Sequence, residues 1–145
     1  MSKLLAARTA QYVMEAEFVF NYDDTMVNAS GVEVDFGKTN IATTAVDIIN
    51  LPAGAVVVGG SVTTDTAFDA ATYNVSIGDS GNATRYLGAT DRKGTGTTPL
   101  VPTGYRGDGE NVRLTFTAAD VCTAGKMTVR VLYITTGRAN EANPN

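Results

Sequence analysis

The chain has 145 residues, a formal net charge of −4 and no histidine. That length suits one domain, and a hydrophobic share of 43% supplies a core without metals and excludes a disordered chain. The 11 Lys and Arg are scattered, with Arg92 and Lys93 the closest pair, so the basic stripe that nucleic acid requires is missing.

A charged share of only 18%, with 15 Gly and abundant Thr, favours short strands joined by tight turns. Cys122 is the single cysteine, which excludes an intramolecular disulfide and fits a buried structural thiol. The opening Met1 to Arg8 has too short an apolar run for a signal peptide. No stretch reaches the ~18 apolar residues of a membrane span. The expectation is synthesis in a cytoplasm and no membrane contact.

Residues 1–11 read as an N-terminal arm, with weak helical character around Leu4 and Leu5 to Arg8. Residues 12–20 (YVMEAEFVF) alternate with period two, placing Tyr12, Met14, Ala16, Phe18 and Phe20 on one face. Asn21 to Asp24 breaks the run with Asx-turn chemistry. Residues 32–36 (VEVDF) form a short strand between Gly31 and Gly37, and 45–51 (AVDIINL) another, stopped by Pro52-Ala53-Gly54. Residues 55–64 (AVVVGGSVTT) read as a buried strand, whose Gly59-Gly60 marks a bulge or a close backbone approach.

Residues 73–77 (YNVSI) alternate again and run into the turn chemistry of Gly78 to Asn82. Residues 85–89 (RYLGA) suit a short strand or one helical turn, 91–98 a polar glycine-rich loop, and 98–102 an extended segment fixed by two prolines. A glycine-rich turn over 104–110 precedes two strands, 111–117 and 126–135. The first directs Val112, Leu114 and Phe116 inward, and the second puts Met127, Val129, Val131 and Tyr133 on one face. Residues 137–145 read as a loose tail. The sum is an all-β chain: a jelly-roll or Greek-key β-sandwich of about eight strands over 12–136.

Catalytic patterns fail on chemistry. Gly78-Asp79-Ser80-Gly81 matches the string around a serine-protease nucleophile, but without an imidazole nothing takes the hydroxyl proton. A turn after a strand is the favoured reading. Lys38, Lys93 and Lys126 carry no Ser–Lys pattern, and Glu15 with Glu17 or Asp23 with Asp24 are pairs expected by chance in an acidic domain. One Cys and no His remove most transition-metal sites. Asp65, Asp69, Asp79, Asp91 and Asp108 lack the spacing of a calcium loop. No enzyme and no cofactor is expected.

From residue 49 to 133 the chain resembles structural proteins of tailed phages. The matching pieces are Ile49-Asn50-Leu51-Pro52-Ala53-Gly54-Ala55, the Gly59-Gly60 strand, and residues 77–87 (IGDSGNATRYL). They continue through residues 98–105 (TPLVPTGY) to Val129-Arg130-Val131-Leu132-Tyr133. The group includes jelly-roll cement, or decoration, proteins of phage heads. The resemblance implies a virion protein on the capsid exterior that binds the major capsid protein as a homotrimer. Similar sandwiches occur as receptor- or carbohydrate-binding modules of tail spikes and fibres, which would show a cleft lined by aromatics such as Tyr73, Tyr86 and Tyr105. For partner contact the candidates are Leu4, Leu5 and Arg8 of the arm, Arg92 and Lys93 of the first glycine-rich loop, and Tyr105 and Arg106 of the second.

Overall fold

The computed structural model describes residues 12–135. Among them are eleven strands and no helix. In chain order they are β1 Met14–Asn21, β2 Thr25–Val27, β3 Glu33–Asp35, β4 Thr44–Ile49, β5 Ala53–Thr66 and β6 Tyr73–Gly78. Then follow β7 Leu87–Asp91, β8 Gly96–Pro99, β9 Arg106–Asp108, β10 Val112–Ala118 and β11 Lys126–Thr135.

The pairing is nested. β1 pairs with β11, β4 with β10, β5 with both β8 and β9, and β6 with β7, all antiparallel. This long ribbon is rolled so that β11 also meets β5 and β10 also meets β6. Two packed sheets result, ordered β1-β11-β5-β8, with β9 further along β5, and β4-β10-β6-β7. Nested ribbon pairs wrapped into two sheets are the topology of a jelly-roll. A two-stranded hairpin of β2 and β3 lies between β1 and β4, and its tip reaches the latter through Ala29 N–H donating to Ala45 O at 2.8 Å.

Alternation decides which residues enter the core. On β10, Val112, Leu114, Phe116 and Ala118 are buried while Arg113, Thr115 and Thr117 face outward. On β11, Met127, Val129 and Val131 are buried without residue, each contributing about 1.5–3 kcal/mol on removal from water. Outside, Arg130 lies 3.1 Å from Glu17 and 3.4 Å from Glu15, half-exposed pairs that add little stability.

One end of the core is aromatic. Phe20 stacks on Phe36 at 4.3 Å between centroids, Phe36 meets Phe116 at 5.2 Å, and Tyr73 stacks on Phe68 at 3.9 Å. Tyr73 satisfies its buried hydroxyl by donating to Phe36 O at 2.6 Å. Burial pushes that hydroxyl far above its ordinary pKa, with the nearby Cys122 and Asp35 adding to the rise.

Gly60 proves to be a close approach, and the bulge falls just beside the glycine pair, at Val58, which the β11 register skips. The β5–β11 register slips between Leu132 and Tyr133, opposite Gly59 and Val57. Gly60 has φ 135, and a Cβ there would sit 2.2 Å from the Arg130 carbonyl oxygen. Where about eight strands were expected, eleven stand among the described residues. β8 takes up the end of the expected loop 91–98 and the expected turn 104–110 contains β9, because both are pulled into register by β5 rather than by their own composition. Of the two alternatives for residues 85–89 the short strand is the one that forms, beginning at Leu87. The arm and the tail lie outside the described residues.

Asp35 closes the turn after β3. Its carboxylate accepts the N–H groups of Gly37, Thr39 and Asn40 at 2.9–3.1 Å and the Thr39 hydroxyl. Burial raises its pKa, but these hydrogen bonds outweigh it and hold it at about 2, below the ordinary 3.8. A depressed carboxylate stabilises the fold above its unfolded pKa and ceases to do so as pH falls through its folded value. Between about pH 4 and pH 2 the protein should lose about 1 kcal/mol from this group, discounted for its partial exposure. In Asp35→Asn that portion of the acid sensitivity should vanish, read as urea midpoints across the range.

Candidate functional site

Two loop regions project along the outer side of β5. The first begins where β6 ends. Asp79, only 4% exposed, turns its carboxylate back into the loop that follows. Oδ1 accepts the N–H groups of Gly81 at 2.9 Å and Asn82 at 2.8 Å, and Oδ2 accepts Arg85 Nε at 2.5 Å. The string Gly78 to Gly81 is therefore an Asx-type turn organised by the aspartate, and Ser80 is exposed on its outside.

The Arg85 guanidinium continues outward over the Tyr105 ring, 3.6 Å from its centroid. Tyr105 donates its hydroxyl to Glu110 Oε1 at 2.7 Å, and Glu110 Oε2 accepts the Asp108 N–H at 2.6 Å. The chain of contacts Asp79, Arg85, Tyr105, Glu110 ties the β6–β7 loop to the segment around β9. Each link shifts its neighbour: the Asp79 hydrogen bond raises the pKa of Arg85, Tyr105 holds Glu110 below the usual carboxylate range, and Glu110 raises Tyr105. Beneath lies a cavity of about 10 Å³ bordered by Leu51, Pro52, Tyr86 and Val112, room for no more than one water.

The second region is the loop between β7 and β8. Thr64 Oγ1 donates to Arg92 O at 2.7 Å, Arg92 N–H donates to Tyr73 O at 2.8 Å, and Lys93 Nζ donates to Ala71 O at 2.7 Å. These bonds fix the loop's backbone against the sandwich. The Arg92 side chain is half-buried beside a groove of about 260 Å³ lined by Thr64, Thr95, Thr97 and Thr98.

Of the expected contact residues, Leu4, Leu5 and Arg8 lie outside the described residues. Arg92 and Lys93 belong to one loop, while Tyr105 and Arg106 belong to the other. Arg106 is opposite Val56 and Arg92 is bonded to Thr64, eight residues further along β5, which is roughly 26 Å of strand. The two pairs thus share a side of the sandwich without forming one patch.

An aromatic cleft of Tyr73, Tyr86 and Tyr105 does not exist. Tyr73 is 0% and Tyr86 4% exposed, both in the core, and only Tyr105 reaches the surface. Alternation on β6 and the approach to β7 place the first two inward. Among the described residues no group of three or more acidic or cysteine side chains is arranged to hold a metal. Asp65, Asp69 and Asp91 are instead engaged by the Thr128 hydroxyl, by Thr123 and by the Tyr73 N–H. Cys122 is buried, and burial pushes its thiol pKa up. Sequence reasoning put Asp79 in a turn and set it aside as a calcium ligand, and it passed over Arg85 and Glu110 as site residues. The signal present was a buried-strand terminus followed by Asp-Ser-Gly-Asn with an arginine six residues after the aspartate.

No protein-family model matches the chain, and no curated protein is detectably similar to it. Solved structures do match. A chain of the cyanophage Pam1 capsid asymmetric unit superposes with a TM-score of 0.57 at 22% identity, covering 92% of this chain and 93% of that one. A chain of the capsid of Ralstonia phage GP4 gives 0.55 at 14% identity, covering 94% and 92%. A chain of the acid-stable capsid of Helicobacter pylori bacteriophage KHP30 gives 0.54 at 20% identity, covering 83% and 93%. Identities this low establish a common fold, and over most of its length the chain shares its jelly-roll with chains found in three phage capsids.

Proposed function

We propose that the protein is a structural component of a tailed-phage virion, which binds the outside of the capsid and stabilises the shell by bridging major capsid protein subunits as a homotrimer. The observation that carries this is the near-complete match of one jelly-roll, in both directions of coverage, to chains of three capsids. The sequence pieces over residues 49–133 support the same reading independently. With no imidazole in the chain, and with Ser80 held in a turn rather than beside a base, no hydrolytic chemistry is proposed.

The physics of such a role is simple. A protein that binds across neighbouring subunits adds its binding free energy against their separation. Three linked contacts act together, so individually weak loops hold strongly. Loop regions fixed from behind, as at Asp79 and Arg92, suit this task because less ordering is required on contact.

Purified protein added to heads lacking it should produce ordered density at threefold or quasi-threefold positions in cryo-electron microscopy. Light scattering of the isolated protein should give the mass of a trimer. A monomer at micromolar concentration counts against the trimeric arrangement. Density at the tail or portal alone moves the assignment to a fibre or receptor-binding module.

A further inference from the structure

We propose that the open edge of β1 is paired by residues 3–8 of a neighbouring copy of the chain, a swapped arm that adds one strand to the first sheet, an inference that rests on the homotrimeric reading above. β1 is the least protected edge of the sandwich. At the far side of its sheet stand β8 and β9, four and three residues long, the former containing Gly96 and Pro99. In the second sheet β7 meets β6 through a register shift. The register of β4 with β10 is also broken, and the hairpin tip bonds to Ala45 O. β1 instead runs eight residues in unbroken register with β11 and contains no Gly, Pro or Lys.

Its outward groups are identifiable. Asn21 N–H donates to Asp24 Oδ2 at 2.7 Å, away from β11, so by alternation the N–H groups of Glu15, Glu17 and Val19 face the same way. Among the described residues no backbone partner meets them. Beside them a groove of about 380 Å³ opens between β1 and β2, walled by Phe18 and Met26 over the buried Phe20 and Phe36. Tyr12 and Val13, just before the strand, are exposed. An added strand would supply the missing hydrogen bonds and place alternate side chains in the groove.

The edge also defines its occupant. Glu15 and Glu17 share one Arg130, and Asp24 lines the groove, so an apolar segment carrying cations matches it. Lys3-Leu4-Leu5-Ala6-Ala7-Arg8 is such a segment, and as a strand either face of it carries one leucine and one cation. Pairing with its own β1 would require a tight reversal over Gln11, Tyr12 and Val13, none of them a turn residue. Two β1 edges pairing with each other would bring the Glu15 and Glu17 carboxylates of both copies together and make a dimer. Arms passed from each copy to the next close a ring of three.

The test uses full chains refolded together from two samples, one labelled with carbon-13 and nitrogen-15 and one unlabelled. Isotope-filtered NOE spectra should join the Leu4 or Leu5 methyls of one copy to Phe18 or Met26 of another. Amide hydrogen exchange at Glu15, Glu17 and Val19 should be at least about tenfold slower in the full chain than in a chain lacking residues 2–11. That shortened chain should keep its circular dichroism and lose the trimer mass in light scattering. Should it fail to fold, the full chain with Leu4→Asp and Leu5→Asp takes its place under the same expectation. Contacts confined to one copy, a dimer, or equal exchange in both chains overturns the swapped arm. Protection of those amides that arises only on phage heads also overturns it and gives the edge to the capsid protein. A trimer that shows the contacts between copies but does not bind heads overturns the capsid reading alone.

Discussion

Asp79→Ala is expected to destabilise the protein by about 3–5 kcal/mol, the range for removing one partner of a buried ion pair. The carboxylate sits 4% exposed and holds two backbone N–H groups as well as Arg85. Its loss leaves those donors without an acceptor and frees the guanidinium from the position over Tyr105. For a domain near this size the melting temperature should fall by about 10 °C. Asp79→Asn, which keeps the shape and an accepting oxygen, should lose roughly half as much. Chemical denaturation followed by circular dichroism reads both. If Asp79→Ala melts like the wild type, the corner is an ornament of the surface and not its foundation.

Gly60→Val should be comparably damaging, by about 2–5 kcal/mol from backbone strain and overpacking together. The φ of 135 is one that L side chains rarely adopt, and the new Cβ would fall 2.2 Å from Arg130 O on the paired strand. That neighbour is backbone in the middle of its sheet and cannot swing aside. Leu100 lies on the other side, its Cδ1 3.0 Å from the same point. The neighbouring Gly59→Ala is the control, because its Cβ meets nothing nearer than 3.6 Å. Equal stability of the two variants by urea titration would show that the sheet opens there at little cost.

What could be read in advance follows from what generates each element. β11 was legible because apolar residues alternate at Met127, Val129 and Val131, all fully buried. β10 was legible to within one residue for the same reason. β8 and β9 are short and have no alternation of apolar residues; β5 recruits them, and such recruitment leaves no periodic trace. β2 is three residues long and exists because β3 folds back onto it. At the candidate site the contrast is similar. Asn, Asp and Gly announce a turn at 78–82, but the Arg85–Tyr105 contact joins residues twenty apart and depends on the roll of the ribbon. Tyr73 and Tyr86 offered the opposite lesson: an aromatic residue is a candidate for a cleft only until the parity of its strand is known.

The nesting of the strands has a temporal side. β11 lies between β1 and β5, so the last described strand to leave the ribosome is an interior member of its sheet. Until residues 126–135 emerge, β1 waits for the partner it has in the finished sheet, and β5 lacks the neighbour on one side. Pairings that span so much of the chain are slow to close, and unpaired strands are sticky while they wait. The same arrangement that lets one strand stitch the sandwich shut makes folding of the body an event that follows its synthesis.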